Sequence, residues 1–256
     1  MLTPTLFIGH GNPMYAIEKN EFTHTWADLA RTLPTPSAIL SISAHWETYG
    51  TQVTAMTSPR TIHDFGGFPR ELFETLYLAP GSPKLAQHIK DKLPTENITL
   101  NSNWGLDHGT WSILRNMYPN ADIPVIQLSI DRKKSPLQHY ELGKKLAFLR
   151  NENIMIIGSG NIIHNLGTID WENPHGAYQW ATTANNKIKT LIKNNDYQSL
   201  INFNTLGEDV NLAIPTPEHF IPLLYILALS TDNDKLSIFN DKIEMGSLSM
   251  TSIAYQ

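Results

Sequence analysis

Three short apolar segments that each deliver a histidine constrain the fold of this 256-residue chain most strongly. They span residues 6–11, 38–46 and 154–166. Such runs are typical of buried strands, and Gly158-Ser159-Gly160 predicts a sharp turn followed by a helix that carries His164. Ligands of open α/β sheets bind beyond the carboxyl ends of the strands. We therefore expect His10, His45 and His164 to share a metal or acid–base site.

The rest of the chain alternates predicted strands and helices. Further strands are predicted at residues 52–56, 98–100, 124–130, 235–239 and 247–254. Helices are predicted at residues 22–33, 71–77, 83–93, 112–117, 137–150, 177–193, 197–203 and 220–229. No repeat, low-complexity tract or linker interrupts this pattern. The sequence predicts an α/β fold of one domain, residues 1–256, with a central mixed and largely parallel sheet flanked by helices.

Charge and cysteine content exclude several kinds of partner and site. The net charge is -5 and no long run of like charges occurs, so no basic patch for nucleic acid is expected. The absence of cysteine excludes disulfides, thiolate nucleophiles and zinc–thiolate sites, and it fits a cytoplasmic location. Residues 1–9 do not resemble a signal peptide. The apolar stretch 220–229 is about half the length needed to cross a bilayer, so no membrane partner is expected.

The ten histidines divide by their surroundings. His24, His88 and His139 lie among polar neighbours on predicted helices and are expected to be exposed, and His175 lies in a loop. The other six follow or lie within turns marked by glycine or proline: His10, His45, His63, His108, His164 and His219. Several imidazoles with a carboxylate suit Fe(II) or Zn(II) better than Ca²⁺ or Mg²⁺. The residues therefore predict a histidine-rich metal site, without naming its reaction.

The loop at residues 58–69 is rich in glycine and proline, and loops of this length are more often functional than idle. Two interpretations of His63-Asp64 stay open: a pair that orients a metal ligand, or a hydrogen bond that fixes the loop. Large aromatic side chains near these turns either line a pocket for an aromatic ring or fill the core. They are Trp46, Phe65, Phe68 and Trp111.

A series of motifs along nearly the whole chain resembles the class III extradiol ring-cleavage dioxygenases, in the single-domain branch called 4,5-DOPA dioxygenase extradiol. The amino-terminal motifs are Gly9-His10-Gly11-Asn12-Pro13, Ser43-Ala44-His45-Trp46, His63-Asp64-Phe65-Gly66-Gly67-Phe68-Pro69 and Gly105-Leu106-Asp107-His108-Gly109-Thr110-Trp111. The later ones are Ser159-Gly160-Asn161, His164-Asn165-Leu166, Thr216-Pro217-Glu218-His219-Phe220 and Glu244-Met245-Gly246-Ser247-Leu248-Ser249-Met250.

The resemblance implies roles for several histidines. His10 and His45 correspond to metal ligands, and His219 to the third ligand, with Glu218 as its carboxylate rival. His164 corresponds to the active-site base of relatives and is also placed to ligate the metal. His108 corresponds to a second catalytic histidine that contacts substrate or oxygen. The implied cofactor is one divalent metal, Fe(II) for catalysis or Zn(II) as bound.

The reaction implied by the resemblance is the opening of a catechol ring, such as that of DOPA, by O2 at the bond beside the two hydroxyls. The partners are thus a small aromatic diol and O2, and a homo-oligomer is possible. Two alternatives stay open on the same scaffold. One is a zinc-dependent hydrolase, because three histidines also describe catalytic zinc. The other is a metal-binding protein without catalysis, because a fold does not fix a function.

Overall fold

The computed structural model describes residues 2–256, and an eight-stranded sheet forms its centre. Strands of the described chain are β1 (Thr5–Gly9), β2 (Ala38–Thr48), β3 (Gln52–Thr54), β4 (Thr99–Asn101), β5 (Val125–Asp131), β6 (Ile154–Gly160), β7 (Leu236–Phe239), β8 (Ile243–Glu244), β9 (Leu248–Ser249) and β10 (Ser252–Tyr255). The order in the sheet is β4-β3-β5-β2-β6-β1-β10-β7, and β8 pairs separately with β9.

Four adjacent strands, β5, β2, β6 and β1, run parallel at the middle of the sheet. β10 and β7 continue one side in antiparallel pairing, and β3 and β4 complete the other. The predicted mixed, largely parallel α/β sheet is confirmed. Gly9 pairs with Gly160, and Ser43 pairs with Ser159. The carboxyl ends of β1, β2 and β6 therefore lie side by side, which is where the sequence placed its first histidines.

Helices cover both faces of the sheet, because successive side chains of a strand point to opposite sides. The described helices are α1 (Glu21–Thr32), α2 (Arg70–Glu74), α3 (Pro83–Lys92), α4 (His108–Met117), α5 (Pro136–Lys145), α6 (Gln179–Lys193), α7 (Tyr197–Ile201), α8 (Glu208–Ala213) and α9 (Ile221–Leu229). Phe7 of β1 packs in the core with α3 and α5–α9, whereas its neighbours Leu6 and Ile8 pack with α1, α2 and α4. None of the helices in residues 2–256 is both long and apolar enough to cross a membrane.

Helix α9 is buried almost throughout and packs directly on β6. A Cβ at Gly158 would lie 2.6 Å from the Pro222 carbonyl oxygen, so only glycine permits this close approach. A Cβ at Gly160 would lie 2.1 Å from the carbonyl oxygen of His219, just before α9. The glycine turn of β6 therefore brings His219 to the carboxyl end of the sheet.

The predicted helix after Gly160 is wrong. His164 instead forms an isolated bridge to Leu248. Its N–H donates to the Ala213 carbonyl at 3.0 Å, and Ser249 N–H donates to the Ile163 carbonyl at 3.0 Å. Because the backbone here is hydrogen-bonded to distant segments, no helical hydrogen bonds are needed to satisfy it. The contact with residues 247–249 also divides the single strand predicted at 247–254 into β9 and β10.

The expected exposure of His139 is also wrong. His139 is 1% exposed, and its Nδ1 lies 2.9 Å from the Tyr225 hydroxyl. The neighbours that bury it come from α9, so the local sequence around His139 carries no sign of them. His24 is exposed as predicted, and His88 is half-buried against Glu152.

The burial of His139 predicts a loss of stability in acid. Burial, with a smaller effect of Lys134, lowers the pKa of His139 from 6.5 to about 4. Below pH 6.5 the unfolded chain takes up a proton that the folded chain refuses, so the free energy of unfolding falls as pH drops towards 4, by about 3 kcal/mol from this residue. Denaturant titrations of the wild type and His139→Gln should show a shallower pH dependence in the variant. His24→Gln is the matched control, and equal slopes for all three proteins would contradict the prediction.

Candidate metal centre

An irregularity in β2 places His45. Ile42 of β2 pairs with Leu128 and Glu47 pairs with Ile130, so residues 43–46 lie opposite Ser129 alone. Such bulges redirect side chains and occur beside active sites. β2 therefore continues to Thr48 and carries His45 within it, two residues beyond the predicted segment 38–46.

Three histidines from distant points of the chain meet at this edge of the sheet. Ring centroids of His10 and His45 are 4.9 Å apart, those of His10 and His219 are 5.4 Å apart, and those of His45 and His219 are 5.1 Å apart. One ring nitrogen of each lies within 4.8 Å of the others. His10 follows β1, His45 lies in the β2 bulge, and His219 precedes α9. The structure thus brings together three of the four histidines expected to bind metal.

The Nδ1 atoms of His10 and His219 are hydrogen-bonded to oxygens that fix the ring proton, and His45 Nδ1 lies close to a carboxylate. Ser159 Oγ donates to the Gly109 carbonyl at 2.5 Å, so it accepts from His10 Nδ1 at 3.0 Å. His219 Nδ1 donates to Glu218 Oε1 at 3.0 Å, and His45 Nδ1 lies 3.2 Å from Asp64 Oδ2. Because Nδ1 carries the proton in each neutral ring, Nε2 keeps its lone pair.

Burial keeps these rings neutral. It is the main cause that lowers the pKa of His10, His45 and His219, and the neighbouring histidines lower the pKa further. Neutral imidazole is the form that binds metal. His219 Nε2 is buried without a hydrogen-bond partner, and the Nε2 atoms of His10 and His45 lie 3.1 Å apart with their lone pairs free. A divalent cation would satisfy all three nitrogens, so the residues fit Zn(II) or Fe(II).

Glu218 supports His219 rather than standing free as a rival ligand. Its Oε1 accepts from His219 Nδ1 and, at 2.8 Å, from the Thr216 hydroxyl. Burial acts against ionisation, but these hydrogen bonds outweigh it and lower the pKa of Glu218 to about 2. The ionised carboxylate orients the ring and raises the basicity of its Nε2 atom.

Asp64 and its neighbour His63 have different contacts. Asp64 Oδ2 lies 3.2 Å from His45 Nδ1 and 3.0 Å from His108 Nδ1, and Oδ1 accepts the His108 backbone N–H. Burial opposes ionisation of Asp64, yet its contacts with His108 lower its pKa. His63 Nε2 lies 2.9 Å from the Thr75 carbonyl, outside the cluster. Each interpretation of this pair therefore describes one of its residues: Asp64 orients a histidine and His63 fixes the loop.

His164 lies beside the three-histidine cluster. Its ring stacks on that of His219 with centroids 3.4 Å apart and an angle of 6° between the planes. One potential ligand atom of His164 lies within 4.8 Å of such atoms of Glu218 and His219. This group shares His219 with the three-histidine cluster but contains neither His10 nor His45. Burial and His219 lower the pKa of His164 to about 3. A neutral imidazole thus stands next to His219.

His108 begins α4, because the preceding Asp107 caps the helix by accepting from Thr110 N–H at 3.1 Å. The helix therefore starts four residues earlier than predicted. The His108 ring lies 3.9 Å from that of His45 between centroids. It faces the same cavity as the other site histidines.

A cavity of about 400 Å³ opens above the cluster. Its apolar wall consists of Pro13, Phe68, Leu166, Ile169, Trp171, Met245 and Leu248. Phe68 lines the cavity, as the pocket interpretation of the aromatic residues predicted. Trp46 instead stacks on Trp104, and Trp111 is fully buried in the core. No lysine or arginine of the described chain lines the cavity. The site suits a small, flat, largely apolar molecule.

Comparison with known proteins assigns the family. The family model described as the catalytic LigB subunit of aromatic ring-opening dioxygenase matches residues 4–253. The chain belongs to this family. The motif resemblance to the class III extradiol dioxygenases is thereby confirmed, and the relatives that follow confirm the DOPA branch.

This LigB-family chain has similar relatives along its length. 4,5-DOPA dioxygenase extradiol of Escherichia coli (strain K12) is 48% identical over 254 residues, which cover 98% of this chain and 93% of the relative. 4,5-DOPA dioxygenase extradiol of Beta vulgaris is 38% identical over 259 residues, with 98% and 96% covered. The crystal structure of an uncharacterized protein from Escherichia coli K12 superposes with a TM-score of 0.87 at 43% identity, covering 99% of this chain and 100% of the other.

Several residues of this LigB-family site received no role from sequence reasoning. Ser159 and Asn161 flank Gly160 in a motif that carried the family resemblance, but neither side chain was given a function. A polar residue beside buried strand residues was the available signal. Leu166, Trp171 and Met245 line the cavity from loops. Loop residues of this kind show no periodicity, so only the fold reveals that they share a cavity.

Replacing Asp64 tests the support of His45 in this LigB-family protein. Asp64→Asn keeps the shape of the side chain but removes the charge that holds the Nδ1 proton of His45. We expect metal affinity to fall by roughly 10- to 100-fold, measured by competition with a chromophoric chelator. His63→Gln, at the neighbouring position, should leave affinity within about twofold. Equal affinities of Asp64→Asn and wild type would show that Asp64 does not support the metal ligand.

Proposed function

We propose that this protein is a metal-dependent extradiol dioxygenase that opens the ring of a catechol, such as DOPA, with O2. The observation that supports it most directly is the convergence of one ring nitrogen each of His10, His45 and His219 at the base of a largely apolar cavity. Relatives that match nearly the full chain are named 4,5-DOPA dioxygenase extradiol. No comparison favours the hydrolase or the non-catalytic alternative.

We assign the metal to His10, His45 and His219, with Fe(II) as the catalytic ion. A bound divalent metal lowers the pKa of a coordinated hydroxyl and holds two reactants on one centre, which removes encounter entropy. Three neutral imidazoles leave the net charge of such a centre positive, so it attracts a catecholate. His108, held by Asp64 and facing the cavity, is assigned to contact with substrate or oxygen.

His164 is assigned as the base that removes a proton from one catechol hydroxyl. Its ring is neutral at pH 7, so a nitrogen is free to accept the proton, and a divalent metal that lowers the pKa of the bound hydroxyl would offset the weak basicity of this buried ring. Glu218 raises the proton affinity of His164 and stays ionised, so it stabilises the imidazolium that forms. The stack on His219 keeps the ring of His164 at a fixed position beside the metal ligands. Apolar cavity walls limit the access of water to the reacting ring.

Oxygen consumption tests the proposed activity. Protein loaded with Fe(II) under anaerobic conditions should bind catechol or DOPA and, on admission of air, take up one equivalent of O2 while a yellow ring-opened product appears. Protein loaded with Zn(II) is the control and should form no product. Turnover with zinc in the absence of O2 would instead favour a hydrolase. Metal binding without any turnover would leave only a binding protein.

The uncharged cavity predicts weak selection for the side chain of the catechol. A lysine or arginine that paired with the carboxylate of DOPA would contribute more than about tenfold in affinity, but none lines the cavity. We expect kcat/KM for DOPA and for 4-methylcatechol to agree within about tenfold. Steady-state O2 uptake with both substrates measures the ratio. A preference for DOPA of a hundredfold would show that charged groups outside the described lining recognise it.

A further inference from the structure

Asn161 occupies a central position that the proposed mechanism does not use. It follows β6 directly, its side chain is 1% exposed, and it lines the cavity together with His164 and His219. Its backbone N–H donates to the His219 carbonyl at 3.0 Å. Asn161 is therefore attached to the backbone of a proposed metal ligand while its side chain reaches the cavity wall.

The orientation of the Asn161 amide follows from one hydrogen bond. Nδ2 donates to the Ser249 carbonyl oxygen at 2.8 Å. A carbonyl oxygen only accepts, so the amide cannot be turned around without losing this bond. The other amide atom, Oδ1, is buried and meets no hydrogen-bond donor among the described residues. Buried carbonyl oxygens in proteins nearly always have a donor, so Oδ1 is open to a donor on a molecule in the cavity.

The chemistry of the proposed substrate supplies such a donor. A catechol carries two hydroxyls, and His164 is assigned as the base for the first proton. The second hydroxyl keeps its proton and needs an acceptor, and the side-chain oxygens of the cavity lining are those of Asn12 and Asn161. At His10 and His219 the Nδ1 protons are engaged, and His45 Nδ1 lies 3.2 Å from Asp64 Oδ2. Asn12 Oδ1 already accepts from Met14 N–H at 3.0 Å, so Asn161 Oδ1 is the side-chain oxygen of the cavity lining that still lacks a donor.

We propose that Asn161 is a substrate-binding residue whose Oδ1 accepts a hydrogen bond from the catechol hydroxyl that keeps its proton. This inference rests on the proposed function. In this role Asn161 selects free diols over their monomethyl ethers, because a methoxy oxygen has no proton to donate. The hydrogen bond also fixes the orientation of the ring relative to His164.

Equilibrium binding to zinc-loaded protein tests this assignment without turnover. Catechol and 2-methoxyphenol are titrated by calorimetry into the wild type and Asn161→Ala, each checked for one equivalent of zinc. We expect the Kd of catechol to rise roughly tenfold in the variant, whereas the Kd of 2-methoxyphenol stays within about twofold. The same weakening of both ligands would assign Asn161 a structural role through His219 and overturn the proposal. Unchanged catechol binding, or tighter binding of the ether alone, would overturn it too.

A second variant covers the case in which Asn161→Ala fails to fold. Asn161→Asp keeps an acceptor oxygen and should retain the preference for catechol over 2-methoxyphenol within about threefold of wild type. Loss of the preference in this variant, with zinc retained, would contradict the assignment. Oxygen uptake by the iron-loaded wild type is measured in parallel. It tests the proposed function separately from the role of Asn161, because the ratio of the two Kd values does not depend on turnover.

Discussion

Replacing His10 with alanine is expected to remove the bound metal and to lower ring-opening activity at least about a thousandfold. A three-histidine site that loses one ligand loses several kcal/mol of binding and of transition-state stabilisation, and each 1.4 kcal/mol corresponds to a factor of ten. The neighbouring ring of His45, 3.1 Å away between Nε2 atoms, cannot replace His10 because it is itself one of the three proposed ligands. Metal content after dialysis and initial rates of O2 uptake measure the two effects.

His24→Ala is the matched control for this loss, because it removes an exposed histidine of α1. The control should keep one equivalent of metal and the activity of wild type. His45→Ala and His219→Ala should behave like His10→Ala. A His10→Ala protein that retains a full equivalent of metal and its activity would remove His10 from the metal centre.

Replacing His164 with phenylalanine is expected to lower ring opening by roughly two to four orders of magnitude while the metal stays bound. Phenylalanine keeps a ring that can stack on His219, at the 3.4 Å spacing of the native pair, but it cannot accept a proton. The loss should appear mainly in kcat, because the ring does not form part of the three-histidine group. Stopped-flow mixing of the anaerobic catechol complex with O2 measures the chemical step.

Metal analysis of the same variant separates the two roles predicted for His164. Full metal content with slow chemistry supports a base. A parallel loss of metal would identify His164 as a ligand, and unchanged activity would exclude it from the mechanism. His175→Phe, on an exposed loop side chain, is the control for an added aromatic ring and should change neither quantity.

The position of the site was predictable because it follows from sheet geometry. Apolar runs that end at His10 and near His45 predict parallel strands, and parallel strands place their ends at one edge. His219 could not be placed in this way, because it reaches the edge through the packing of α9 on Gly158 and Gly160. Its assignment depended on the resemblance to a known family.

The wrong predictions for His139 and for the residues after Gly160 have a common physical cause. His139 was expected at the surface, but Tyr225 of α9 covers it. Residues after Gly160 were expected to form a helix, but β9 and residues near Ala213 bind their backbone instead. In each case a segment distant in the chain forms the hydrogen bonds or the packing contacts of residues whose own local sequence does not show these partners. Local periodicity carries no information on such partners.

The Ser159 hydroxyl, which accepts from His10 and donates to the Gly109 carbonyl, joins β6 to the first turn of α4. His108 lies in that same turn. The Ser159 hydroxyl therefore supports both the proposed metal-binding ring of His10 and the segment that carries the His108 ring. Removing that alcohol by Ser159→Ala should disturb both rings at once, although Ser159 touches neither ion nor diol. Substitution of the buried Ser159 should therefore affect the site more than substitution of the exposed Leu166 or Trp171 at the mouth of the cavity.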